Sequence, residues 1–204
     1  MKEIQNFITK EEARYLMNMI DRYANKSMVV AGGKQMNQYS QARTSYTSNL
    51  VANDPTVETL HKKIAKYLGQ PLHKGESLQG QRYEQGQYFR SHHDYFKGDS
   101  YEKNCLSSGN RTYTFMLYLN DNFEGGTTNF PHLKKEIKPL SCKAVVWNNL
   151  QHGHPNEYMQ HSGEEVTKGT KYIITSWWRE NIWNGGADHK EYEQKLKNQQ
   201  LSII

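Results

Sequence analysis

His92-His93-Asp94 sets an imidazole and a carboxylate two residues apart. In extended backbone such residues point to the same side, so His92 and Asp94 can grip one metal ion together. A third ligand has to come from elsewhere in the chain. His132, His152, His154 and His161 all lie downstream, with His152 and His154 forming an H-x-H pair of their own. His161 opens the stretch His161-Ser-Gly-Glu-Glu-Val-Thr-Lys-Gly-Thr-Lys171, which ends in a basic residue. Two histidines and a carboxylate on one face of an octahedral ion leave the opposite positions open, the arrangement that suits non-haem Fe(II) and chemistry with O2. Mixed N/O ligands without a thiolate favour iron over zinc. An isolated H-x-D is weak evidence, because nine histidines in 204 residues will sometimes fall near an aspartate.

The elements that must hold these residues can be read from periodicity. Thr9-Lys-Glu-Glu12 is a capping box, followed by Ala13, Leu16, Met17, Ile20 and Tyr23 at helical spacing. Asp54-Pro55 starts a second helix with a cap and a proline at its first position; Val57, Leu60, Ile64 and Leu68 give it an apolar face and Gly69 ends it. Ser27 to Val51, rich in Gly, Gln, Asn, Ser and Tyr, has no periodicity and reads as a long functional loop. From about Leu78 strands dominate: Thr112–Leu119, Lys143–Trp147 and Lys171–Trp178 are rich in β-branched and aromatic residues. The expected class is α+β, an antiparallel sandwich or barrel braced on one side by helices. The expected organisation is one domain over 1–204, with helical support over about 1–75, a β core over about 76–180 and a polar tail over 181–204.

Composition narrows the function. The net charge of +5 comes from scattered lysines, so nucleic-acid binding has little support, while an acidic or polar peptide would suit it. No apolar run approaches a membrane span, and the N-terminus lacks a signal-peptide h-region, so a cytoplasmic protein is expected. Cys105 and Cys142 have no C-x-x-C spacing and read as free thiols. The 14 tyrosines fit a β-rich core or a substrate groove.

Over roughly Ile4 to Glu180 the chain resembles the prolyl 4-hydroxylase group of Fe(II)/2-oxoglutarate dioxygenases. The resemblance runs through Asn6-Phe7-Ile8-Thr9, Arg43-Thr44-Ser45, Tyr83, Gly86-Gln87-Tyr88, His92-His93-Asp94-Tyr95-Phe96, Arg111, Tyr118-Leu119 and Glu124-Gly125-Gly126-Thr127-Thr128. It closes with His161-Ser-Gly163, Val166, Gly169-Thr-Lys171 and Trp177. It implies a double-stranded β-helix (jelly-roll) core braced by the N-terminal helices. It selects His161 as the third iron ligand beside His92 and Asp94. Lys171 becomes the anchor for the distal carboxylate of 2-oxoglutarate, as a dianionic co-substrate requires. Tyr83, Tyr118 and Thr175 fall at pocket-lining positions, and Arg111 and Trp177 at positions near the substrate. Ser27–Val51, with Gly32-Gly33, corresponds to the segment that covers a bound peptide.

The resemblance therefore implies hydroxylation of a prolyl residue in a peptide or protein with Fe(II), 2-oxoglutarate and O2, succinate and CO2 as co-products, and ascorbate as an auxiliary reductant. The same chemistry on a free amino acid, another side chain or a small molecule is the first alternative. A nucleic-acid demethylase fits less well, since such enzymes typically anchor the co-substrate with arginine rather than lysine. A non-catalytic β-helix binding protein is the alternative from another class. Two departures bear on the substrate: Glu164-Glu165 stands where many relatives have a small residue and proline, and His93 where an aromatic is common.

Overall fold

Local signals set both long helices. The computed structural model describes residues 1–27 and 42–185. Helix α1, Lys10–Tyr23, is capped by Thr9, whose hydroxyl accepts from the Glu12 amide at 3.1 Å, while Glu12 accepts from the Thr9 amide at 2.7 Å. Helix α2, Pro55–Leu68, starts at Asp54, whose carboxylate accepts from the Thr56 and Val57 amides, and stops at Gly69 in the left-handed region (φ 62°). The buried stripe of α1 is Ala13, Leu16, Met19 and Ile20, so Met19 takes the place expected for the exposed Tyr23.

These helices brace one face of a seven-stranded antiparallel sheet. Its strands run, in spatial order, Lys2–Ile4, Ala144–Asn148, Arg111–Tyr118, Lys171–Arg179, Gln79–Tyr83, Tyr46–Asn49 and Asn25–Lys26. A second, four-stranded sheet has the order Phe89–His92, His161–Gly163, Thr128–Phe130, Lys135–Ile137. The long strands read as continuous apolar runs because both faces are covered. Phe115, Leu117, Ala144, Val146, Ile174 and Trp178 join α1 and α2 in one core, whereas Met116, Tyr118, Val145, Trp147 and Ile173 join Tyr83, Phe130 and Ile137 in a second. Strands with helices packed on one side give the α+β jelly-roll class expected from the sequence.

One reading needs adjustment. Ser27–Val51 is not a loop throughout: Tyr46–Asn49 pairs with Gln79–Tyr83 and with Asn25–Lys26. Its lack of apolar periodicity has a physical cause, since the inward residues Ser45 and Ser48 are polar yet buried. Residues 28–41 of the covering segment, which include Gly32-Gly33, and the tail from Ala187 lie outside the described residues. Cys105 and Cys142 are both buried and are not joined in a disulfide. Among the described residues no helix is long and apolar enough to cross a membrane.

Gly80 shows how tightly α1 sits on the sheet. A Cβ there would lie 2.4 Å from Ile20 Cγ1, inside any real contact. Gly80→Ala should therefore lift α1 off the sheet and destabilise the protein by about 1–3 kcal/mol, read as a lower urea midpoint. An unchanged midpoint would show that the helix can shift without cost.

Candidate active site

The two candidate histidine ligands face each other across a strand pair. His161 opens the strand His161–Gly163 and pairs in register with His92, the last residue of Phe89–His92. Their Nδ1 atoms lie 2.9 Å from the Met159 carbonyl and 2.8 Å from the Arg90 carbonyl. A carbonyl can only accept, so each Nδ1 carries the proton and each Nε2 presents a lone pair, the tautomer a metal needs. The strand ends at His92, so Asp94 is fixed by another route. Its Oδ2 accepts from the Thr114 hydroxyl at 2.7 Å, and Asn149 Nδ2 donates to the same hydroxyl at 2.8 Å, which commits Thr114 to donate to the carboxylate.

Ligand atoms of His92, Asp94 and His161 all lie within 4.8 Å of one another. Among the described residues no other group of three or more histidines, cysteines and carboxylates comes together in this way. Burial lowers the His161 pKa to about 4, with His92 adding to the effect, so its lone pair is free at neutral pH. Burial by itself would raise the Asp94 carboxyl, but His161, His92 and Arg111 hold it well below the usual carboxylate range. Two imidazoles and one carboxylate, each oriented by a second group, fit a ferrous ion.

The triad opens into a cavity that reaches the surface. Gln81, Tyr83, Phe89, Lys171, Thr175 and Trp177 line it beside the three ligands. Lys171 is 2 % exposed and forms no ion pair among the described residues. Its Nζ donates to the Gly126 carbonyl at 2.6 Å and lies over the rings of Tyr83 and Tyr118 at 5.2 and 5.5 Å. Gly126 has φ 62°, and a Cβ there would press on Lys171 Cδ at 3.1 Å, so the glycine makes room for the lysine. Burial pushes the ammonium down to about 7. A buried cation facing a metal-competent triad suits a ligand with a carboxylate at its far end.

The remaining expected residues divide. Tyr83 and Thr175 line the cavity; Tyr118 stands behind Lys171, its hydroxyl paired with Thr128 at 2.6 Å. Trp177 lines the wall, and its buried indole N–H has no partner among the described residues. Arg111 is stacked on Trp177 at 3.9 Å and donates to both oxygens of Glu76 at 2.7 and 2.8 Å, with a longer contact to the Asp94 carbonyl at 3.4 Å. The structure thus ties Arg111 to Glu76 and to the backbone of a ligand. His154 lies exposed on a two-residue strand paired with Leu150–Gln151, away from the triad in the pairing scheme. Sequence reading missed Glu76, Thr114, Asn149 and Gln81. The one signal for Gln81 was a polar residue on the inward side of Gln79–Tyr83, a strand whose next inward residue is Tyr83.

The sequence profile of the 2OG-Fe(II) oxygenase superfamily matches residues 78–179. A putative prolyl 4-hydroxylase of Acanthamoeba polyphaga mimivirus is 31 % identical over 185 residues, covering 87 % of this chain and 73 % of that protein. Probable prolyl 4-hydroxylase 10 of Arabidopsis thaliana is 32 % identical over 195 residues, covering 85 % of this chain; the chain spans 66 % of that relative's length. In fold, the chain is similar to the viral collagen prolyl hydroxylase of Paramecium Bursaria Chlorella virus-1 in its 2OG complex. That match has a TM-score of 0.68 and 24 % identity, over 87 % of this chain and 94 % of the other. The chain belongs to the 2OG-Fe(II) oxygenase superfamily. Fe(II), 2-oxoglutarate and O2 are the cofactor and co-substrates of that family, and the His92–Asp94–His161 triad has the donor types that a ferrous ion takes.

Proposed function

We propose that this protein hydroxylates a prolyl residue in a peptide or protein, with succinate and CO2 as co-products. The observation that carries the reading is Lys171, a buried cation without a carboxylate partner among the described residues, in the same cavity as the His92–Asp94–His161 triad. His92, Asp94 and His161 hold iron; Lys171 and the hydroxyl of Thr175 hold the distal carboxylate of 2-oxoglutarate. When bound, the iron couples oxidative decarboxylation of 2-oxoglutarate by O2 to the conversion of a C–H bond to C–OH. Phe89, Trp147 and Ile173 keep water out of the cavity wall. Trp177 lines the cavity on the side read as the substrate's, and Arg111 supports its ring from behind.

A peptide is favoured over a free amino acid by the surface around the opening. A shallow groove lined by Tyr88, Arg90, Ser162 and Glu164 shares Phe89 and Gly163 with the cavity, so a chain can lie along it while one residue enters. The named prolyl 4-hydroxylase relatives support the choice of proline. Incubation of the iron-loaded protein with a panel of proline-containing peptides and with free proline tests the reading. A one-oxygen mass gain on a peptide is expected; efficient hydroxylation of free proline with no peptide modified would replace it by the amino-acid alternative.

Removing the anchor separates binding from metal capture. Lys171→Ala should leave iron binding nearly unchanged and raise the 2-oxoglutarate concentration needed by roughly one to two orders of magnitude, the value of a hydrogen bond to a charged group. The wild type should also bind 2-oxoglutarate less tightly as pH rises. Above about 7 the free lysine is neutral, while the bound carboxylate favours the ammonium, so binding must take up a proton. Calorimetry in buffers of different ionisation enthalpy reads that proton directly. An unchanged affinity in Lys171→Ala would assign the anchor to another basic residue.

A further inference from the structure

Gln79, Gln81 and Tyr83 alternate along one strand and share its inward face, opposite Thr175, Ile173 and Lys171 of the neighbouring strand. Their side chains form a hydrogen-bonded relay that ends in the cavity. Arg43 NH2 donates to Gln79 Oε1 at 3.2 Å, and Gln81 Nε2 donates to the same oxygen at 3.2 Å. Gln81 Nε2 also donates to Thr175 Oγ1 at 3.0 Å, and Gln81 Oε1 accepts from the Tyr83 hydroxyl at 3.0 Å.

The direction of this relay is determined by its first member. A guanidinium has donors only, so the Gln79 atom facing Arg43 must be the carbonyl oxygen. That oxygen in turn requires an N–H from Gln81, which fixes the Gln81 amide and turns its own oxygen toward Tyr83. The proton of Tyr83 is thereby spent on Gln81. Thr175 is the reverse case: its oxygen already accepts from Gln81, and its own proton has no acceptor among the described residues. Gln81 is 3 % exposed and both hydroxyls line the cavity. Arg43 is held in turn by Ser45 at 3.0 Å and Thr47 at 3.1 Å, so the relay starts from a fixed point.

We propose that Gln81 is a positioning residue for the co-substrate, making Thr175 the hydroxyl that donates to the distal carboxylate and withholding the Tyr83 proton from it. This rests on the 2-oxoglutarate reading of the cavity. Lys171 and Thr175 then supply charge and direction together, and the pocket selects an acceptor that can take both.

The test compares two ligands on the Co(II)-loaded protein by calorimetry: 2-oxoglutarate, and oxalate, which can chelate the metal but has no distal carboxylate. Gln81→Met keeps the shape and removes the amide. It should weaken 2-oxoglutarate roughly three- to tenfold and leave oxalate unchanged. In a Thr175→Val background the same substitution should weaken 2-oxoglutarate no further, because its target hydroxyl is gone. If Gln81→Met does not fold, Gln79→Met serves instead, since it removes the acceptor that fixes the Gln81 amide; the same ligand selectivity is expected. Equal weakening of both ligands, no weakening of either, or full additivity with Thr175→Val overturns the positioning role. A wild-type protein that binds oxalate but not 2-oxoglutarate overturns the co-substrate reading and this inference with it.

Discussion

Asp94→Ala should reduce 2-oxoglutarate turnover by more than about a thousandfold and strip the protein of Fe(II), because it removes the only anionic ligand of the triad. His92→Ala and His161→Ala should act alike. Thr114→Val, which leaves every ligand in place and only frees the carboxylate to rotate, should cost about 10–100-fold in iron affinity. His154→Ala should retain both iron and turnover, since that side chain is exposed on the short Leu150–Gln151/His154–Pro155 ribbon. Iron content after gel filtration and succinate formation are the two measurements. Loss of iron in the His154 variant with retention in the His161 variant would show that the third ligand is misassigned.

The second large effect concerns stability. Glu76 accepts from Arg111 and, at 2.6 Å, from Arg179 Nε, and all three side chains are withdrawn from solvent. Glu76→Gln leaves two guanidiniums facing a neutral amide, and breaking such a buried pair costs about 3–5 kcal/mol. For a protein of this size that corresponds to a fall in Tm of roughly 6–20 °C. Burial would raise the Glu76 carboxyl, yet Arg111 and Arg179 bring it below its ordinary value of 4.5. The folded state therefore holds this proton less tightly than the unfolded chain. The stabilisation is complete above the unfolded value and is lost as pH falls through the lowered one. Glu76→Gln should show a flatter decline of Tm in acid than the wild type, and an equally steep decline would place the acid-sensitive group elsewhere.

What could be read from the sequence was local. The Thr9 capping box, the Asp54-Pro55 start and the Gly69 stop each depend on neighbouring residues alone, and all three are where the sequence places them. Arg111–Tyr118 and Lys171–Arg179 were visible because eight or nine residues carry enough apolar signal. The four-stranded sheet was not, since its members are three or four residues long and too short to show a period. Its importance lies in pairing His92 with His161 across nearly 70 residues, which no spacing rule foretells. Glu76 escaped for the same reason: its partners are 35 and 103 residues away. Asn149 and Gln81 look like surface amides in a sequence, and only burial among other polar groups gives them meaning.

The division of the long strands between two cores gives every position in them an address by parity. Phe115, Leu117, Ile174 and Trp178 answer to the helices, and Met116, Ile173, Thr175 and Trp177 answer to the cavity. The two sets share backbone but not neighbours. Such a scaffold can be re-specialised by editing one parity while the other keeps the fold intact, so catalytic variety and thermal robustness become separable traits. The same arrangement makes a one-residue insertion in any of these strands far worse than a substitution, since it would exchange the two addresses along the rest of the strand.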